Sequence, residues 1–299
     1  MTTITTYLES RSRLVEEALS AVFPRSEGLF ARHIEAMRYS LLAGGKRIRP
    51  ILCLAAAESV SEAADLHQRV LPVACALECI HTYSLIHDDL PAMDNDDLRR
   101  GRPTNHKVHG EAGAILAGDG LLTFAFELLA GETLTGVEPA ARLRIIHCIA
   151  RAAGPFGMVG GQALDIAHEG QPILFEELRD IHEHKTGALL TAAVQVGAMA
   201  VGCDEQRLAA LTTYGRQLGL AFQIVDDLLN ATSTTEQLGK AAGSDVARGK
   251  ATYPAFFGLD GTRARAAEAV AAARQALNDF DAKAEPLREL ADYVLTRAK

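Results

Sequence analysis

The chain has 299 residues, of which 48% are hydrophobic, and its formal net charge is −8. This length and apolar content are sufficient for a large core, in one sizeable domain or two. The negative net charge argues against non-specific binding to nucleic acid or to an acidic membrane surface.

The sequence predicts a cytoplasmic protein that does not span a membrane. Its five scattered cysteines form no CxxC motif and no set with nearby histidines, so we expect reduced thiols that pack in the core. The first twenty residues contain acids and lack the apolar centre of a signal peptide. No run of eighteen uncharged apolar residues occurs.

The spacing of apolar residues predicts a chain that is nearly all helix, because no alternating strand pattern with an Asn-Gly type turn occurs. No repeat and no Pro/Ser-rich linker interrupts it, so we predict a single domain over residues 1–299. The helices outside the motifs are expected over about Ile4 to Val22, Gly28 to Leu42, Gly113 to Leu129, Pro139 to Ala152 and Met158 to Ala167, with another starting near Phe175.

A basic loop follows the second predicted helix. Gly44 and Gly45 end that helix, and Lys46, Arg47 and Arg49 lie within the next four residues. Such a loop is usually only solvated. Here the two glycines allow the backbone to approach a ligand closely, and the three cations also fit a clamp for an anion.

The next predicted helix runs from Val70 into an acidic stretch with aspartates at 88, 89, 94, 96 and 97. Pro91 is expected to end the helix, which puts Asp88 and Asp89 at a helix C-terminus. The macrodipole disfavours a negative charge there by roughly 0.3–1 kcal/mol. Two carboxylates about 4 Å apart add on the order of 4 kcal/mol of repulsion at a surface. A solvated acidic turn is one interpretation, and a cation site is the other.

The residues around the acidic stretch favour a cation site. Oxygen ligands suit Mg²⁺, which commonly bridges one or two carboxylates to the phosphates of a substrate. Three arginines follow directly and supply planar forks for those phosphates: Arg99, Arg100 and Arg102.

A second acidic cluster lies at the end of a later helix, whose apolar residues repeat at three- and four-residue steps from Leu208 to Leu229. It contains Gln223, Asp226, Asp227 and Asn230. If both clusters face one cavity, Mg²⁺ ions between them would neutralise a departing diphosphate, whose organic part would meet an apolar wall. The absence of GxxxxGK[ST] argues against nucleotide phosphates.

Several motifs resemble one known family. DDLPAMD followed by RRGRPT, together with GGKRIRP, GQALDI, HKTGALL, FQIVDDLLN and GKATYP, occur in the order found in the short-chain trans-isoprenyl diphosphate synthases, most like the bacterial-type farnesyl diphosphate synthases. The resemblance runs from about Leu29 to Pro254. It implies an all-α, isoprenoid synthase-type helix bundle around a central cavity, usually a homodimer, that condenses isopentenyl diphosphate with an allylic diphosphate.

The resemblance also implies roles for individual residues. The Mg²⁺ ions, expected to be three per site, would be bound chiefly by Asp88, Asp94 and Asp226, with Asp89 and Asp227 beside them. The allylic diphosphate would lie among Arg99, Lys185, Lys240 and Lys250, and isopentenyl diphosphate among Lys46, Arg49, His81 and Arg100. The allylic cation would face Thr186, Gln223 and the Lys185 carbonyl.

The product and one metal ligand are less well defined by the resemblance. Asn230 stands where the family usually has the third aspartate of the second motif, and an amide adds no negative charge. Tyr83, five residues before Asp88, together with the insertion Pro91-Ala92, implies a fifteen-carbon product. A geranylgeranyl diphosphate synthase and a non-catalytic regulatory subunit are the alternatives. A class I terpene cyclase would not need GGKRIRP.

Overall fold

The computed structural model describes residues 3–232 and 251–296, so the predicted sites at Lys240 and Lys250 lie outside the described residues. Within these ranges the regular secondary structure is helical apart from one short hairpin, which confirms the predicted all-α class.

Within the described ranges the helices occur in the following order along the chain. In the first half they are α1 (Ile4–Val22), α2 (Ala31–Leu41, after a 3₁₀ turn Gly28–Phe30), α3 (Ile48–Val60), α4 (Leu66–Asp88), α5 (Asn105–His109) and α6 (Glu111–Ala130). In the second half they are α7 (Pro139–Ala153), α8 (Met158–Ala167), α9 (Phe175–His182), α10 (Ala188–Ala200), α11 (Glu205–Thr232), α12 (Tyr253–Ala276) and α13 (Glu285–Thr296).

Local sequence explains several of the helix ends. The Thr3 hydroxyl accepts a hydrogen bond from the Thr6 N–H and caps α1. Pro139 occupies the first turn of α7, where its missing N–H costs no intrahelical hydrogen bond. Helix α4 ends at Asp88, as Pro91 predicts.

The core lies between α4 and the helices that surround it. Helix α4 packs on α3 and α6, while α10 packs on α3, α7 and α11. At the crossing of α10 and α3, a Cβ on Gly197 would lie 2.0 Å from the Cys53 carbonyl oxygen. Only glycine therefore permits these two backbones to touch.

Two local features differ from the predicted helices. The helix predicted to start near Phe175 is α-helical only to His182, and Glu183–Gly187 forms a π-helical turn between α9 and α10. Such turns are rare and occur frequently at functional sites. The basic segment after the acidic stretch forms a hairpin in which β1 (Leu98–Arg99) pairs with β2 (Arg102–Pro103).

Helices α4 and α6 are long and apolar enough to cross a membrane, by length and composition alone. In α4, 72% of the most apolar 18-residue window is buried inside the protein. In α6 the buried share of the corresponding window is 39%. Core helices of soluble bundles pass the same test, so the expected absence of a membrane span stays a prediction.

Candidate active site

The end of α4 concentrates negative charge. The Asp94 N–H donates to the Asp88 carbonyl oxygen at 2.8 Å, so the acidic loop folds back onto the helix end. Burial, with a contribution from the carboxylates of Asp94 and Asp89, raises the pKa of Asp88 to about 6. The positive charges of Lys185 and Arg99 oppose this shift. Burial and the neighbouring carboxylates therefore disfavour the ionised form of Asp88, and a nearby cation would stabilise it.

Asp89 and Arg99 form a closed pair beside this carboxylate. The Asp89 side chain is only 3% exposed, and both its oxygens accept hydrogen bonds from Arg99 Nε at 2.8 Å. Arg99 Nη2 adds a third bond to Oδ1 at 2.6 Å. Asp89, which the resemblance implies as a supporting metal ligand, thus directly positions the Arg99 guanidinium at the end of β1.

Lys185 lies on the π-helical turn and contacts Asp165. Its Nζ donates to Asp165 Oδ2 of α8 at 2.7 Å, and its positive charge opposes the rise in the pKa of Asp88. The turn approaches α8 closely, because a Cβ on Gly161 would lie 2.2 Å from the Lys185 nitrogen. Thr186, the next residue on the turn, is half-buried. A glycine of the GGQALDI segment therefore sets where Lys185 sits.

The three cations of the GGKRIRP loop point in different directions. Lys46 is exposed. Arg47 is 2% exposed and donates to Glu16 and Glu78, so the expectation that it belongs to an anion clamp is wrong. Arg49 is half-buried, and burial lowers its pKa to about 10, opposed by the negative charges of Glu78 and Asp226.

Arg100 and His81 lie beside this loop. Arg100 donates to the Gly44 carbonyl oxygen, and a Cβ on Gly45 would lie 2.6 Å from its guanidinium carbon, so glycine leaves the space that the side chain fills. Burial and the charges of the surrounding arginines, Arg49 foremost, hold the pKa of His81 well below its usual range. His81 is therefore neutral at physiological pH, and its ring can offer a hydrogen bond to a ligand without adding charge.

Helix α11 brings the second acidic cluster to the same region. It crosses the π-helical turn at glycines: a Cβ on Gly219 would lie 2.9 Å from the Gly187 Cα. Gln223 and Asp226 are half-buried on α11, and the Asp226 charge favours the charged form of Arg49 on α3. The structure thus brings Asp226 near the GGKRIRP loop. Asn230 is buried one turn further along.

Asp227 has a structural contact of its own. Its Oδ2 accepts the Tyr253 N–H at 2.8 Å and so binds the first turn of α12. The Tyr253 ring stacks on His182 of α9, with 5.6 Å between the ring centroids. Burial lowers the pKa of His182 to about 4, so this histidine is neutral. The metal-binding role implied for Asp227 stays a prediction beside this capping contact.

Tyr83 lies one and a half turns before the acidic loop on α4. Its side chain is 6% exposed and packs edge-to-face on His87, with 5.7 Å between the ring centroids. Burial and the Asp88 carboxylate raise the pKa of its hydroxyl to about 12. The ring is therefore a fixed, neutral, apolar surface close to Asp88.

The donor groups fit Mg²⁺ that is completed by a substrate. Among the residues that the structure describes, no group of three or more His, Cys, Asp or Glu side chains is placed to bind a metal alone. Mg²⁺ usually takes only one or two carboxylates and fills its other positions with water and phosphate oxygens. The half-buried carboxyl of Asp88, whose pKa is raised and which lies beside Asp94, matches that need.

Sequence reasoning missed two residues of this region. Asp165, which pairs with Lys185, lies in the GQALDI motif but was not predicted to have a role of its own. Glu78 was not predicted to have a role. An acid in an otherwise apolar helix, three residues before His81, is unusual and could have indicated one.

A sequence model of the polyprenyl synthetase family matches residues 31–290. The chain belongs to the polyprenyl synthetase family. The match includes the GGKRIRP loop, both acidic clusters and the π-helical turn, and it confirms the resemblance drawn from the motifs. By this membership the chain is a prenyltransferase.

Relatives within the polyprenyl synthetase family cover nearly the whole chain. A farnesyl diphosphate synthase of Geobacillus stearothermophilus is 48% identical over 97% of this chain and 97% of its own. A geranylgeranyl diphosphate synthase of Cyanophora paradoxa is 47% identical over 98% and 96%. The crystal structure of an FPP/GFPP synthase from Zymomonas mobilis superposes with a TM-score of 0.87 at 38% identity, covering 97% of this chain and 98% of that one. These neighbours share the all-α prenyltransferase fold.

Proposed function

We propose that this prenyltransferase condenses isopentenyl diphosphate with dimethylallyl or geranyl diphosphate and releases (2E,6E)-farnesyl diphosphate. The observation that carries the proposal is that two sets of basic side chains act on neighbouring parts of this region. The charges of Lys185 and Arg99 act on half-buried Asp88, while Arg49 and Arg100 are the strongest charges acting on neutral His81, and Arg100 contacts the GGKRIRP loop at Gly44. Two substrates that both carry diphosphates need two such groups.

Mg²⁺ would be bound by Asp88, Asp94 and Asp226, and when bound it supplies positive charge that stabilises the departing diphosphate. Lys185 and Arg99 orient the allylic diphosphate, and Lys240 and Lys250 are proposed to complete this group. Lys46, Arg49, Arg100 and His81 bind isopentenyl diphosphate. A neutral His81 gives a hydrogen bond without competing for the proton that the reaction releases.

The remaining polar residues act on the allylic carbon. The C–O bond to the allylic diphosphate breaks, and Thr186, Gln223 and the Lys185 carbonyl stabilise the cation with their oxygens. The isopentenyl double bond attacks this carbon and forms the new C–C bond. The departing diphosphate takes the proton that is lost, so charge and atoms balance without a further base.

The test is a product assay with purified protein, dimethylallyl diphosphate, isopentenyl diphosphate and Mg²⁺. We expect farnesyl diphosphate as the main product. Geranylgeranyl diphosphate is the second candidate, because a relative with that activity is nearly as similar in sequence. No condensation at all would favour the regulatory-subunit alternative.

Asn230→Asp is expected to change kcat by less than about tenfold, or under about 1.4 kcal/mol. The amide already offers a carbonyl oxygen, so the substitution adds one charge at a position that is not the main ligand. Steady-state kinetics at saturating Mg²⁺ measures the effect. A gain well above tenfold would mean that the native second cluster is too weak for efficient turnover and would revive the regulatory-subunit alternative.

We also propose a homodimer that forms through α6. This helix is strongly apolar, and its outer face exposes Ile115 and Leu116, the latter by 57%. Leu116→Glu should convert the protein to a monomer in sedimentation experiments, since it buries a charge in the proposed interface. Leu174→Glu, which changes a leucine before α9 that is 68% exposed, is the control and should leave the dimer intact. A wild-type monomer would contradict the proposal.

A further inference from the structure

Glu78 is a buried carboxylate beneath the GGKRIRP loop. Its side chain lies on α4, three residues before His81, and is 1% exposed. Oε1 accepts a hydrogen bond from Arg47 Nη1. Oε2 is buried and has no hydrogen-bond partner among the residues that the structure describes. A buried charge is costly unless it is paired and hydrogen-bonded, and here only one of the two oxygens has such a partner among the described residues.

Arg47 links Glu78 to the GGKRIRP loop, of which it is part. Its backbone is left-handed at φ 47° and precedes the first residue of α3. Its Nε donates to Glu16 of α1 at 2.7 Å, and Nη2 donates to the Leu41 carbonyl oxygen at the end of α2 at 2.7 Å. With the bond to Glu78 of α4, one guanidinium joins four helices at the place where Lys46 and Arg49 emerge.

Glu78 also acts on the two arginines that flank His81. For Arg49 and for Arg100 alike, burial disfavours the charged form, and Glu78 is the strongest of the charges that favour it. Arg49 Nε is itself buried and makes no hydrogen bond among the described residues. Without an inner negative charge, Arg47, Arg49 and Arg100 would repel one another around a neutral histidine.

We propose that Glu78 is a positioning residue for isopentenyl diphosphate, which fixes the loop through Arg47 and keeps Arg49 and Arg100 directed at the diphosphate. The inference rests on the proposed function of this loop. Glu78 itself does not touch the substrate.

Electrostatics and positioning predict opposite results when the charge is removed. If Glu78 acted only through its field, the loss of a negative charge would strengthen the binding of a diphosphate by the nearby arginines. If Glu78 positions them, the same loss releases Arg47 and disperses the cluster, so binding weakens. The direction of the change therefore identifies the role.

The experiment compares wild type with Glu78→Gln, which keeps the shape and removes the charge, and Glu78→Asp, which keeps the charge and shortens the reach. The Kd of isopentenyl diphosphate is measured by calorimetry without an allylic substrate. It should rise about tenfold or more in both variants, which corresponds to a loss of at least about 1.4 kcal/mol of binding free energy. KM for geranyl diphosphate should stay within about twofold.

Glu58→Gln is the matched control. Glu58 also ties α1 to α3, since it accepts hydrogen bonds from Tyr7 Oη at 2.7 Å and binds Arg11 Nε at 2.8 Å. It lies nine residues after Arg49 on α3, or about 13 Å along the helix axis. We expect a loss of thermal stability similar to that of Glu78→Gln and no change in the Kd of isopentenyl diphosphate.

If the single variants do not fold, Arg47→Met combined with Glu78→Leu decides the question, because apolar pairs commonly replace buried ion pairs without loss of stability. This folded variant should show the same rise in Kd. An unchanged or lower Kd in a folded variant would overturn the inference while leaving the proposed function intact. Wild type that binds no isopentenyl diphosphate would overturn both.

Discussion

Asp88→Asn is expected to lower kcat by at least about a hundredfold, which corresponds to about 2.7 kcal/mol. Asp88 is half-buried and is acted on by the positive charges of Lys185 and Arg99, and the amide cannot supply the charge that binds Mg²⁺. Asp226→Asn, on the opposite cluster, should have an effect of the same order. The measurement is single-turnover formation of the C–C bond at saturating Mg²⁺, which separates chemistry from product release.

The control for this prediction lies in the same acidic stretch. Asp97 is exposed and pairs with Lys107 at 2.7 Å, so Asp97→Asn should change kcat by less than about twofold. Near-normal turnover in both Asp88→Asn and Asp226→Asn would contradict the two-cluster arrangement. An equal loss in Asp97→Asn would mean that the stretch acts only through its total charge.

Asp88→Asn should also stabilise the folded protein, although it lowers turnover. The pKa of Asp88 is raised from its usual value to about 6 in the folded chain, so the folded state binds a proton that the unfolded state has released. Stability of the metal-free wild type therefore falls as the pH rises from about 4 to about 6. Asp88→Asn removes this dependence and should raise Tm at pH 8 without metal. A lower Tm would show that the carboxylate is paired more favourably than its surroundings indicate.

Tyr83→Ala is expected to shift the main product from fifteen carbons to twenty or more. The ring lies five residues before Asp88, roughly 7.5 Å back along the helix axis, and helical side chains lean further toward the N-terminus. A tail anchored by its diphosphate at Asp88 would therefore meet this buried ring. Removal of the ring leaves a cavity that another isoprene unit can fill. Chromatography of the dephosphorylated products measures the shift.

Tyr83→Phe is the matched control, because it keeps the ring and removes only the hydroxyl. It should still give farnesyl diphosphate. If Tyr83→Ala also stops at fifteen carbons, another side chain limits the chain length. If the wild type already makes geranylgeranyl diphosphate, the ring does not limit the product and the alternative function holds.

The helices of this protein could be predicted from sequence because their signals are local. The predicted ends of α1 and α8 agree with the structure, and α4 stops before Pro91 as expected. Apolar spacing, prolines and glycines act over about one helical turn, which is the range that a sequence pattern records. The motifs, read in order, likewise identified the family.

The π-helical turn could not be predicted in this way. No local sequence signal in Glu183–Gly187 distinguishes it from an α-helix. A π-helical turn contains one more residue than an α-helical turn, and here it occurs where neighbouring helices contact the backbone. Gly161 of α8 and Gly219 of α11 both press their backbones against it. Those contacts join segments that are more than twenty residues apart in sequence, so no local pattern contains them.

By itself the sequence determined which residue types are concentrated in the site, and only the tertiary structure decided where each side chain points. Lys46, Arg47 and Arg49 look equivalent in GGKRIRP, yet Arg47 turns inward to Glu78 and Glu16. Asp89 similarly turns to Arg99. The direction of a charged side chain depends on where a partner can compensate its loss of water, and those partners come from distant helices.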